Sequence, residues 1–398
     1  MTKASGLIRS TLVVLFCVLQ VFATRAQTYQ VGHITAMFTD ADRSNRPVPT
    51  EIYYPADMAG DNVPFSTALT GNAPCISFGH GFVMTQDAYA NIRNAVVSKG
   101  YIIAFPTTEG SFSPSHAEFG KDLAFVLRKV TELGTLSSSV LYNRVHTATC
   151  VMGHSMGGGA AFLAMSSDPS IKGIVTFAAA ETTPSAISAA ATIAAPSLVF
   201  AGENDCVTAP ATNQQPMYAA LVSACKHYIS IKGGSHCQMA GTSITCSFGE
   251  STCTPAPGIT RTAQHTKIDQ YLIPWLNYTL KGNCAEGTSF ESMLATDADV
   301  TSTKNCTLCS TSAVPQGSGS SNIAVYPNPA GGTITFRLPT TQPAIITLYS
   351  SIGSKVYETT TTGGTTIVNT AGLPGGMYSY CINGLQATAI RGTIVVQR

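Results

Sequence analysis

The chain has 398 residues, enough for two or three domains, and a formal net charge of only +1. Charged residues make up 11% of it, well below the roughly 25% of average soluble domains. A net charge this close to zero does not indicate a basic surface that would bind nucleic acid. The sequence also has no basic helix of the kind that binds a membrane surface. We therefore expect no nucleic-acid partner, and the charge favours no other kind of partner.

The N-terminus has the pattern of a secretory signal peptide. Lys3 and Arg9 precede the apolar run TLVVLFCVLQVFA, which ends at TRA before Gln27. This run is shorter than the ~20 residues of a membrane-spanning helix, which disfavours the alternative of a membrane anchor. Cys17 lies inside the run rather than just after it, which argues against a lipid-modified cysteine. We expect residues 1–26 to be a signal peptide and the mature protein to be exported.

Strand-like and helical patterns alternate from about residue 29 to residue 275. Six continuous apolar runs have the length of buried strands: 75–79, 101–105, 146–153, 173–177, 197–202 and 227–231. Helical patterns lie between them, as in EFGKDLAFVLRKVTEL, and QTYQVGHITA and EIYYPA resemble leading antiparallel strands. Strands buried on both faces and alternating with helices indicate a parallel sheet. We predict an α/β fold with a doubly wound, mostly parallel sheet over residues 27–310.

The pattern changes near residue 311. Residues 311–322 are rich in Ser, Gly and Pro, which is typical of a linker. Residues 323–398 contain short strand-like runs separated by Gly-Gly, Pro-Gly and Asn-Pro, with no helical period. We expect a small all-β sandwich there. An adhesive or carbohydrate-binding sandwich is one interpretation of it, although no row of aromatic residues indicates a sugar platform.

The stretch CVMGHSMGGGAAFLAM places a serine at a strand-to-helix turn. In GHSMG, glycines stand two residues before and two residues after Ser155, as in the strained nucleophile elbow of serine hydrolases. The pattern alone is weak, because a glycine-rich chain offers chance matches. Here a predicted strand precedes it and a predicted helix follows it. We therefore expect Ser155 to be a nucleophile rather than an exposed serine in a glycine-rich turn.

A serine nucleophile needs a base, and the base needs an acid that orients it. In folds that carry such a nucleophile elbow, the acid follows the serine in the chain and the histidine follows the acid. His236 lies in the loop KGGSHCQ after a predicted strand, whereas His227 lies within a strand and His265 within a helix. Asp205 follows the strand SLVFAG, with Glu203 as the rival acid two residues earlier. We expect Asp205 and His236 to complete a triad.

Acyl transfer also needs hydrogen-bond donors for a developing oxyanion. The backbone N–H of Met156, at the start of the helix after the serine, is one candidate. The loop GHGFVM offers the other, and we expect it to be the N–H of Phe82, with Gly81 allowing the close approach. His80 precedes the serine, and we interpret it as loop scaffold rather than as a base.

Eleven of the twelve cysteines follow the expected signal peptide, and an oxidising compartment permits disulfide bonds. Cys75 and Cys150 lie in apolar runs and are expected to be buried thiols. A zinc site at CTLC lacks a second Cys-x-x-Cys, so the sequence does not favour it. A Cys206–Cys237 bond would join the acid and base loops. We expect local pairing instead: Cys206 with Cys225, Cys237 with Cys246 or Cys253, and Cys284 with Cys306.

GHSMGGG, LVFAGENDCVTAP and GGSHC together resemble the cutinase-like polyester hydrolases and the wider dienelactone-hydrolase-like group of α/β-hydrolases, over roughly residues 70–280. Such polyester hydrolases usually carry a tryptophan on the loop after the strand that follows the elbow. Here that loop reads FAAAETTPS, and the only tryptophan is Trp275. The missing tryptophan argues against activity on aromatic polyesters, but it does not affect the expectation of ester hydrolysis. The resemblance implies a serine esterase that needs no cofactor or metal, with the triad Ser155, Asp205 and His236 and the oxyanion donors Phe82 and Met156.

VYPNP, LYSSIGSKV, LPGGMYSY and the terminal VVQR resemble the sorting domains of the bacterial type IX secretion system. The resemblance implies a Bacteroidetes-type cell, transport across the outer membrane and removal of this domain on the way. We therefore expect a secreted or cell-surface, monomeric serine esterase. Its substrate stays open between cutinase- or polyester-type esters and short-chain acyl esters. A peptidase or amidase with the same triad and a non-catalytic surface binding protein are the alternatives.

Overall fold

The computed structural model describes residues 28–309, 323–338, 342–350, 354–362, 364–383 and 390–397. The chain forms two compact units that divide between Leu308 and Cys309. The expected signal peptide, residues 1–26, and the expected linker, residues 311–322, lie outside the described residues. Within the described ranges, no helix is both long and apolar enough to cross a membrane.

A ten-stranded sheet forms the centre of the first unit. Its strands lie in the spatial order β10-β9-β8-β7-β6-β4-β5-β2-β1-β3. The six strands from β4 to β9 pair in parallel, whereas β1 with β2, β2 with β5 and β9 with β10 pair antiparallel. The predicted mostly parallel sheet is confirmed. In chain order the strands are β1 (Gln30–Asp40), β2 (Arg46–Ala56), β3 (Gly60–Asp61), β4 (Ala73–Gly79), β5 (Ile102–Pro106), β6 (Val145–His154), β7 (Gly173–Phe177), β8 (Ser197–Gly202), β9 (Lys226–Ile231) and β10 (Val300–Lys304).

Helices cover both faces of this sheet. Buried residues form two clusters, and neighbouring residues of one strand divide between them, Val151 in one and Met152 in the other. Because successive strand side chains point to opposite faces, the two clusters are the cores above and below the sheet. The helices are α1 (Ala90–Val97), α2 (His116–Leu133), α3 (Met156–Ser167), α4 (Ala186–Ala190), α5 (Gln214–Ala220), α6 (Ile244–Glu250), α7 (Arg261–Lys281) and α8 (Cys284–Thr296).

Helix α2 shows how the sequence determines one of these elements. The Ser115 side chain caps its first turn by accepting a hydrogen bond from the N–H of Glu118 (3.3 Å). Phe119, Leu123 and Val126 recur at helical spacing and are fully buried against the sheet. The amphipathic pattern of the sequence thus predicts both the helix and the face that it buries.

The second unit is an all-β structure. A three-stranded sheet, β11-β12-β15, and a four-stranded sheet, β14-β13-β16-β17, are both antiparallel. One apolar cluster draws on both sheets, with Phe336 from the first and Leu348 from the second, as in a sandwich. The strands are β11 (Ala324–Tyr326), β12 (Thr333–Arg337), β13 (Ala344–Tyr349), β14 (Lys355–Thr361), β15 (Thr365–Asn369), β16 (Gly376–Asn383) and β17 (Ile390–Val396).

The disulfide bonds correct two of the predicted pairings. The predicted Cys206–Cys225 and Cys284–Cys306 bonds are wrong, whereas Cys237–Cys246 is confirmed and Cys206–Cys237 does not form. Cys75 and Cys150 are buried free thiols, as predicted. Cys284 and both cysteines of CTLC, Cys306 and Cys309, are disulfide-bonded. The bonds include Cys206–Cys253, Cys225–Cys306 and Cys237–Cys246.

The direction of the strands explains why the two predicted pairings are wrong. Cys206 follows the carboxyl end of β8, whereas Cys225 precedes the amino end of its parallel neighbour β9. A six-residue strand spans about 20 Å, which is too far for a disulfide bond. Strand β10 runs antiparallel to β9 and pairs Lys304 with His227. Cys306 therefore returns to the amino end of β9, where it meets Cys225.

Candidate active site

Three of the predicted functional residues follow parallel strands of the central sheet. Ser155 comes directly after β6, Asp205 three residues after β8, and His236 five residues after β9. The carboxyl ends of parallel strands lie at one edge of a sheet, which is where open α/β sheets place their ligand sites. Strand order alone therefore brings the three loops to the same edge.

Ser155 stands in a strained turn between β6 and α3. Its backbone has φ 53° and ψ −122°, a conformation that L-residues rarely adopt. Neighbouring loops hold this backbone, because its N–H donates to the Phe177 carbonyl (3.0 Å) and its carbonyl accepts from the N–H of Ala180 (2.8 Å). A Cβ at Gly157 would lie 2.1 Å from the Gly79 carbonyl oxygen. The turn therefore requires the glycine of the GHSMG pattern.

Ser155, His236 and Asp205 form a continuous hydrogen-bonded line. Ser155 Oγ lies 3.0 Å from His236 Nε2, and His236 Nδ1 lies 2.9 Å from Asp205 Oδ2. All three side chains are buried, with Ser155 the most accessible at 9%. Both distances fall within hydrogen-bond range for a nucleophile, a base and an orienting acid. The structure thus brings together the three side chains that the sequence selected.

Thr208 is a fourth member of this arrangement that the sequence analysis missed. Its hydroxyl lies 2.9 Å from Asp205 Oδ2 and 3.0 Å from His236 Nδ1, and it accepts a hydrogen bond from Gln214 Nε2 (3.1 Å). Asp205 Oδ1 accepts from the N–H groups of Val207 (2.9 Å) and Thr208 (2.8 Å). An Asp that bonds the backbone two or three residues later is a common turn motif, so DCVT carried the signal.

The surroundings of Asp205 keep its carboxylate ionised. Burial by itself raises the pKa of Asp205, whereas the hydrogen bond and charge of His236 and the hydrogen bonds from Thr208 lower it. The net result is a pKa below the ordinary value of an aspartate. A carboxylate that stays charged beside the ring of His236 can hold that ring in one tautomer and stabilise its protonated form.

Glu203, the rival acid, has a different contact. Its Oε2 accepts a hydrogen bond from the backbone N–H of Gly233 (2.9 Å), and its side chain is exposed. The loops of the acid and the base also pack closely, because a Cβ at Gly202 would lie 2.7 Å from the Gly234 carbonyl. Glu203 thus contacts the backbone of the base loop, not the imidazole of His236.

Two disulfide bonds adjoin the acid and the base. Cys206 follows the acid and bonds to Cys253, and Cys237 follows the base and bonds to Cys246. Both partners belong to the segment around α6, a short helix with no buried residue of its own. The two bonds therefore attach this helix to both loops, which gives covalent support to loops that have little packing.

The predicted oxyanion donors lie on two elements that touch. Met156 is the first residue of α3, and the loop of Phe82 begins at Gly79, whose carbonyl packs on Gly157 of the same helix. Within the described residues, the N–H groups of Phe82 and Met156 donate to no backbone acceptor. The positive end of the helix dipole adds to these donors. Both N–H groups therefore remain candidates for oxyanion donors.

The other candidate histidines contact different groups. Both ring nitrogens of His80 lie 2.9 Å from backbone carbonyls, those of Gly81 and Thr108. His227 is fully buried beside Glu291 (3.2 Å), and His265 Nε2 lies 3.0 Å from the Ala240 carbonyl. These three histidines have structural partners, as the sequence analysis expected.

One group of side chains has the spacing of metal ligands. Donor atoms of Cys225, His227 and Cys306 lie within 4.8 Å of one another. The two sulfurs are bonded to each other in a disulfide, so neither is available as a thiolate ligand. This group does not fit a metal ion.

Four exposed apolar side chains lie on segments that belong to the loops of the proposed site or contact them. Phe82 is 43% exposed, and its ring packs edge-on against Phe112, which is 80% exposed, at a centroid distance of 6.1 Å. Ile244 and Phe248 of α6 are more than 80% exposed. We call these four residues the apolar rim. Phe82 is a predicted oxyanion donor and Phe112 contacts its ring, whereas Ile244 and Phe248 lie on a helix that is disulfide-bonded to the base loop. Large exposed apolar groups near a polar site are typical of a binding surface.

Comparisons with known proteins agree with this arrangement. A family model described as PET hydrolase-like matches residues 23–251, more than half of the chain. A second family model, described as a secretion system C-terminal sorting domain, matches residues 324–397. The cutinase est2 of Thermobifida alba is 26% identical over 164 residues, which are 40% of this chain and 52% of the relative. The chain therefore spans about half the length of that curated relative.

Proposed function

This chain belongs to the PET hydrolase-like family, and from that premise we propose that it is a secreted serine esterase that hydrolyses carboxylic esters. The observation that carries the proposal is the hydrogen-bonded line from Ser155 through His236 to Asp205, with the serine at a strained strand-to-helix turn. A strained turn that exposes a serine to a base is the arrangement that makes a hydroxyl nucleophilic.

The proposed reaction has two halves. In the first, His236 Nε2 takes the proton of Ser155 Oγ while the oxygen attacks the ester carbonyl carbon, and the protonated ring then gives that proton to the departing alcohol. In the second, His236 takes a proton from water while the water oxygen attacks the acyl carbon, and the protonated ring then returns that proton to Ser155 Oγ as the carboxylic acid leaves. Asp205 stays ionised throughout and stabilises the imidazolium. The N–H groups of Phe82 and Met156 bind the carbonyl oxygen while it is negative.

The apolar rim supports a substrate that is large and apolar. Burying apolar surface contributes roughly 25 cal/mol per Å², so exposed aromatic side chains beside a site favour a partner that covers them. An acyl chain or a polymer segment is large enough to cover both Phe82 and Phe112, whereas an acetyl group is not. We therefore propose cutinase- or polyester-type esters, rather than short-chain acyl esters, as the better substrates.

The C-terminal unit supports a proposal about export. The match of residues 324–397 to a secretion sorting domain favours passage through the type IX secretion system. A substrate too large or too insoluble to enter a cell requires an exported enzyme. We propose that the sorting unit delivers the hydrolase to the cell surface or beyond, and that the mature enzyme is a monomer.

The test combines covalent labelling with a substrate series. A fluorophosphonate should add once per wild-type molecule by mass, and p-nitrophenyl esters of increasing acyl length should show rising kcat/KM. Ser155→Ala should not be labelled, and its kcat should be about 10⁶-fold lower than that of the wild type. Ser77→Ala is the matched control, because Ser77 is a buried serine of β4 whose hydroxyl has no hydrogen-bond partner among the described residues.

The rival functions predict other results. A peptidase or amidase would cleave p-nitroanilide peptides faster than esters of similar size. A non-catalytic binding protein would not be labelled at all. Labelling that persists in Ser155→Ala would show that another residue is the nucleophile.

A further inference from the structure

Behind the triad lies a buried pair of side chains, Tyr89 and His154, that the proposed reaction does not use. His154 is the last residue of β6 and directly precedes Ser155, and Tyr89 ends a short turn of 3₁₀ helix after the Phe82 loop. Both side chains are fully buried. Tyr89 Oη lies 3.0 Å from His154 Nδ1. A buried histidine beside a nucleophile needs an explanation, because burial disfavours a charged ring.

The partners of the pair determine where its protons are. His154 Nε2 lies 3.2 Å from the backbone carbonyl of His236, and a carbonyl can only accept, so Nε2 carries a hydrogen. Burial and the nearby charge of His236 lower the pKa of His154 to about 3, so the ring is neutral and Nδ1 has a free lone pair. Nδ1 therefore accepts from the Tyr89 hydroxyl, since the other acceptor within reach, Met84 Sδ at 3.3 Å, is a weak one.

The chain of hydrogen bonds continues to the oxyanion loop. The backbone N–H of Gly81 donates to Tyr89 Oη at 2.7 Å. A Cβ at Gly81 would lie 3.2 Å from both Tyr89 Oη and His154 Nδ1, so this backbone packs directly on the pair. The complete sequence is Gly81 N–H to Tyr89, Tyr89 O–H to His154, and His154 N–H to the His236 carbonyl.

The two ends of this chain are functionally different. Gly81 directly precedes Phe82, the proposed oxyanion donor, and His236 is the proposed base. The middle residue, His154, is covalently attached to the proposed nucleophile. The chain therefore connects the backbone of three parts of the site whose relative positions must be correct to within a fraction of an ångström.

We propose that Tyr89 and His154 are positioning residues, whose directed hydrogen bonds hold the oxyanion loop and the base loop in register with Ser155. Neither residue exchanges a proton in the reaction, since each polar hydrogen has its own acceptor. This inference rests on the proposed function. It predicts that the Tyr89 hydroxyl matters to catalysis although it touches no substrate.

Tyr89→Phe tests the inference with a small change. The substitution keeps the ring, which packs against Phe78 at 4.7 Å, and leaves the Gly81 N–H and His154 Nδ1 without their partner. Loss of an oxyanion donor costs about 10²–10³-fold in kcat, and a displaced donor should cost less. We expect kcat on a p-nitrophenyl ester to fall about 10- to 100-fold, with KM within about twofold.

Tyr101→Phe is the matched control. Tyr101 is also fully buried in the same apolar cluster, and its hydroxyl donates to Asn277 Oδ1 at 2.7 Å. Tyr89→Phe loses two hydrogen bonds and Tyr101→Phe loses one, so both melting temperatures should fall, that of Tyr89→Phe further. Only Tyr89→Phe should lose kcat. Equal kcat losses in the two variants would make the effect one of stability and would overturn the inference.

The remaining outcomes separate this inference from the proposed function. If the wild type neither hydrolyses esters nor reacts with the phosphonate, the function fails and the inference fails with it. If the wild type does both and Tyr89→Phe keeps its kcat, only the inference fails. Should Tyr89→Phe not fold, ¹⁵N NMR of the wild-type imidazoles decides. A neutral His154 with hydrogen on Nε2 at pH 5 supports the chain, and hydrogen on Nδ1 overturns it.

Discussion

The two units of this chain bury different kinds of side chains. The first unit buries Asp205, His236, His154 and Asp122, whereas the buried polar side chains among the described residues of the second are all threonines: Thr347, Thr361 and Thr370. All eight histidines of the sequence precede residue 309, and Glu358 is the only acidic residue after it. Burying an ionisable group is costly unless it has partners. Folding of the first unit therefore includes the free-energy cost of burying charged or titratable side chains. Asp205, His236 and His154 lie together at the carboxyl edge of its sheet.

Burial alone does not identify a reactive group, as Asp122 shows. Its two oxygens face Arg43 at 2.6 Å and Arg46 at 2.7 Å, and Oδ2 also accepts from the Thr108 hydroxyl. This carboxylate has partners on both sides and links α2 to the β1–β2 hairpin, so that removing a partner would leave a buried charge unpaired. Asp205 instead faces one imidazole whose other nitrogen faces a serine hydroxyl. What distinguishes the proposed site is a partner that can itself exchange a proton.

The largest effect expected from this difference is that of Asp205→Asn. The amide lacks the charge that stabilises the imidazolium and can present an N–H to Nδ1, which favours the wrong tautomer of His236. We expect kcat on a p-nitrophenyl ester to fall by about 10⁴-fold with the fold intact by circular dichroism. Glu203→Gln is the control, because this exposed carboxylate accepts a hydrogen bond from the Gly233 N–H and not from His236, and it should keep nearly full activity. The reverse result would exchange the roles of the two acids.

The sequence predicted most of the fold because each buried strand is a continuous apolar run. Segments such as 173–177 and 197–202 coincide with β7 and β8, since a strand covered on both faces has no polar side to confuse the pattern. The resemblance of three segments to one hydrolase family indicated which loops meet. The roles of Ser155, Asp205 and His236 remain predictions, although the structure places them in hydrogen-bond contact.

The features that the sequence could not give depend on which end of the sheet a residue occupies. The cysteine pairing required the antiparallel direction of β10, which CTLC does not reveal. The contact of Tyr89 with His154 spans 65 positions, and a tyrosine in DAYANI reads as an ordinary core aromatic. Local patterns determine elements, whereas these contacts depend on topology.

A smaller effect should distinguish the two units by pH. The pKa of His154 falls from its ordinary value of 6.5 to about 3 on folding, so the unfolded chain takes the proton first as the pH falls. Its contribution to stability is full above pH 6.5 and declines towards pH 3, by up to about 1.4 kcal/mol per pH unit. Between pH 7.5 and 5 the loss should be about 2 kcal/mol. Asp269, whose pKa burial raises to about 6, acts in the opposite direction and offsets about 1.4 kcal/mol of this loss, so the two groups together lose about 0.6 kcal/mol.

Hydrogen exchange of the full chain measures this loss in each unit separately. After correction for intrinsic rates, the best-protected amides of residues 28–308 should open more readily at pH 5, and those of residues 323–397 should not, because that unit has no histidine. His154→Gln should lose about 2 kcal/mol less than the wild type over this pH range. His146→Gln should keep the slope of the wild type, since His146 is exposed. An equal slope in both units would show that His154 is not its source.

The smallest expected effect is that of removing the second unit. A chain that ends at residue 314 keeps Cys309, which is disulfide-bonded, and all residues of the proposed site. Because all residues of the proposed site lie in the first unit, kcat/KM of the purified truncation should stay within about twofold of the full chain, a change of less than about 0.5 kcal/mol in transition-state stabilisation. In its native host the truncated enzyme should accumulate in the periplasm, where activity and immunoblots of cell fractions would find it. If the truncated protein keeps its melting temperature but loses its activity, the second unit contributes to catalysis or substrate binding, and the division of labour between the two units is wrong.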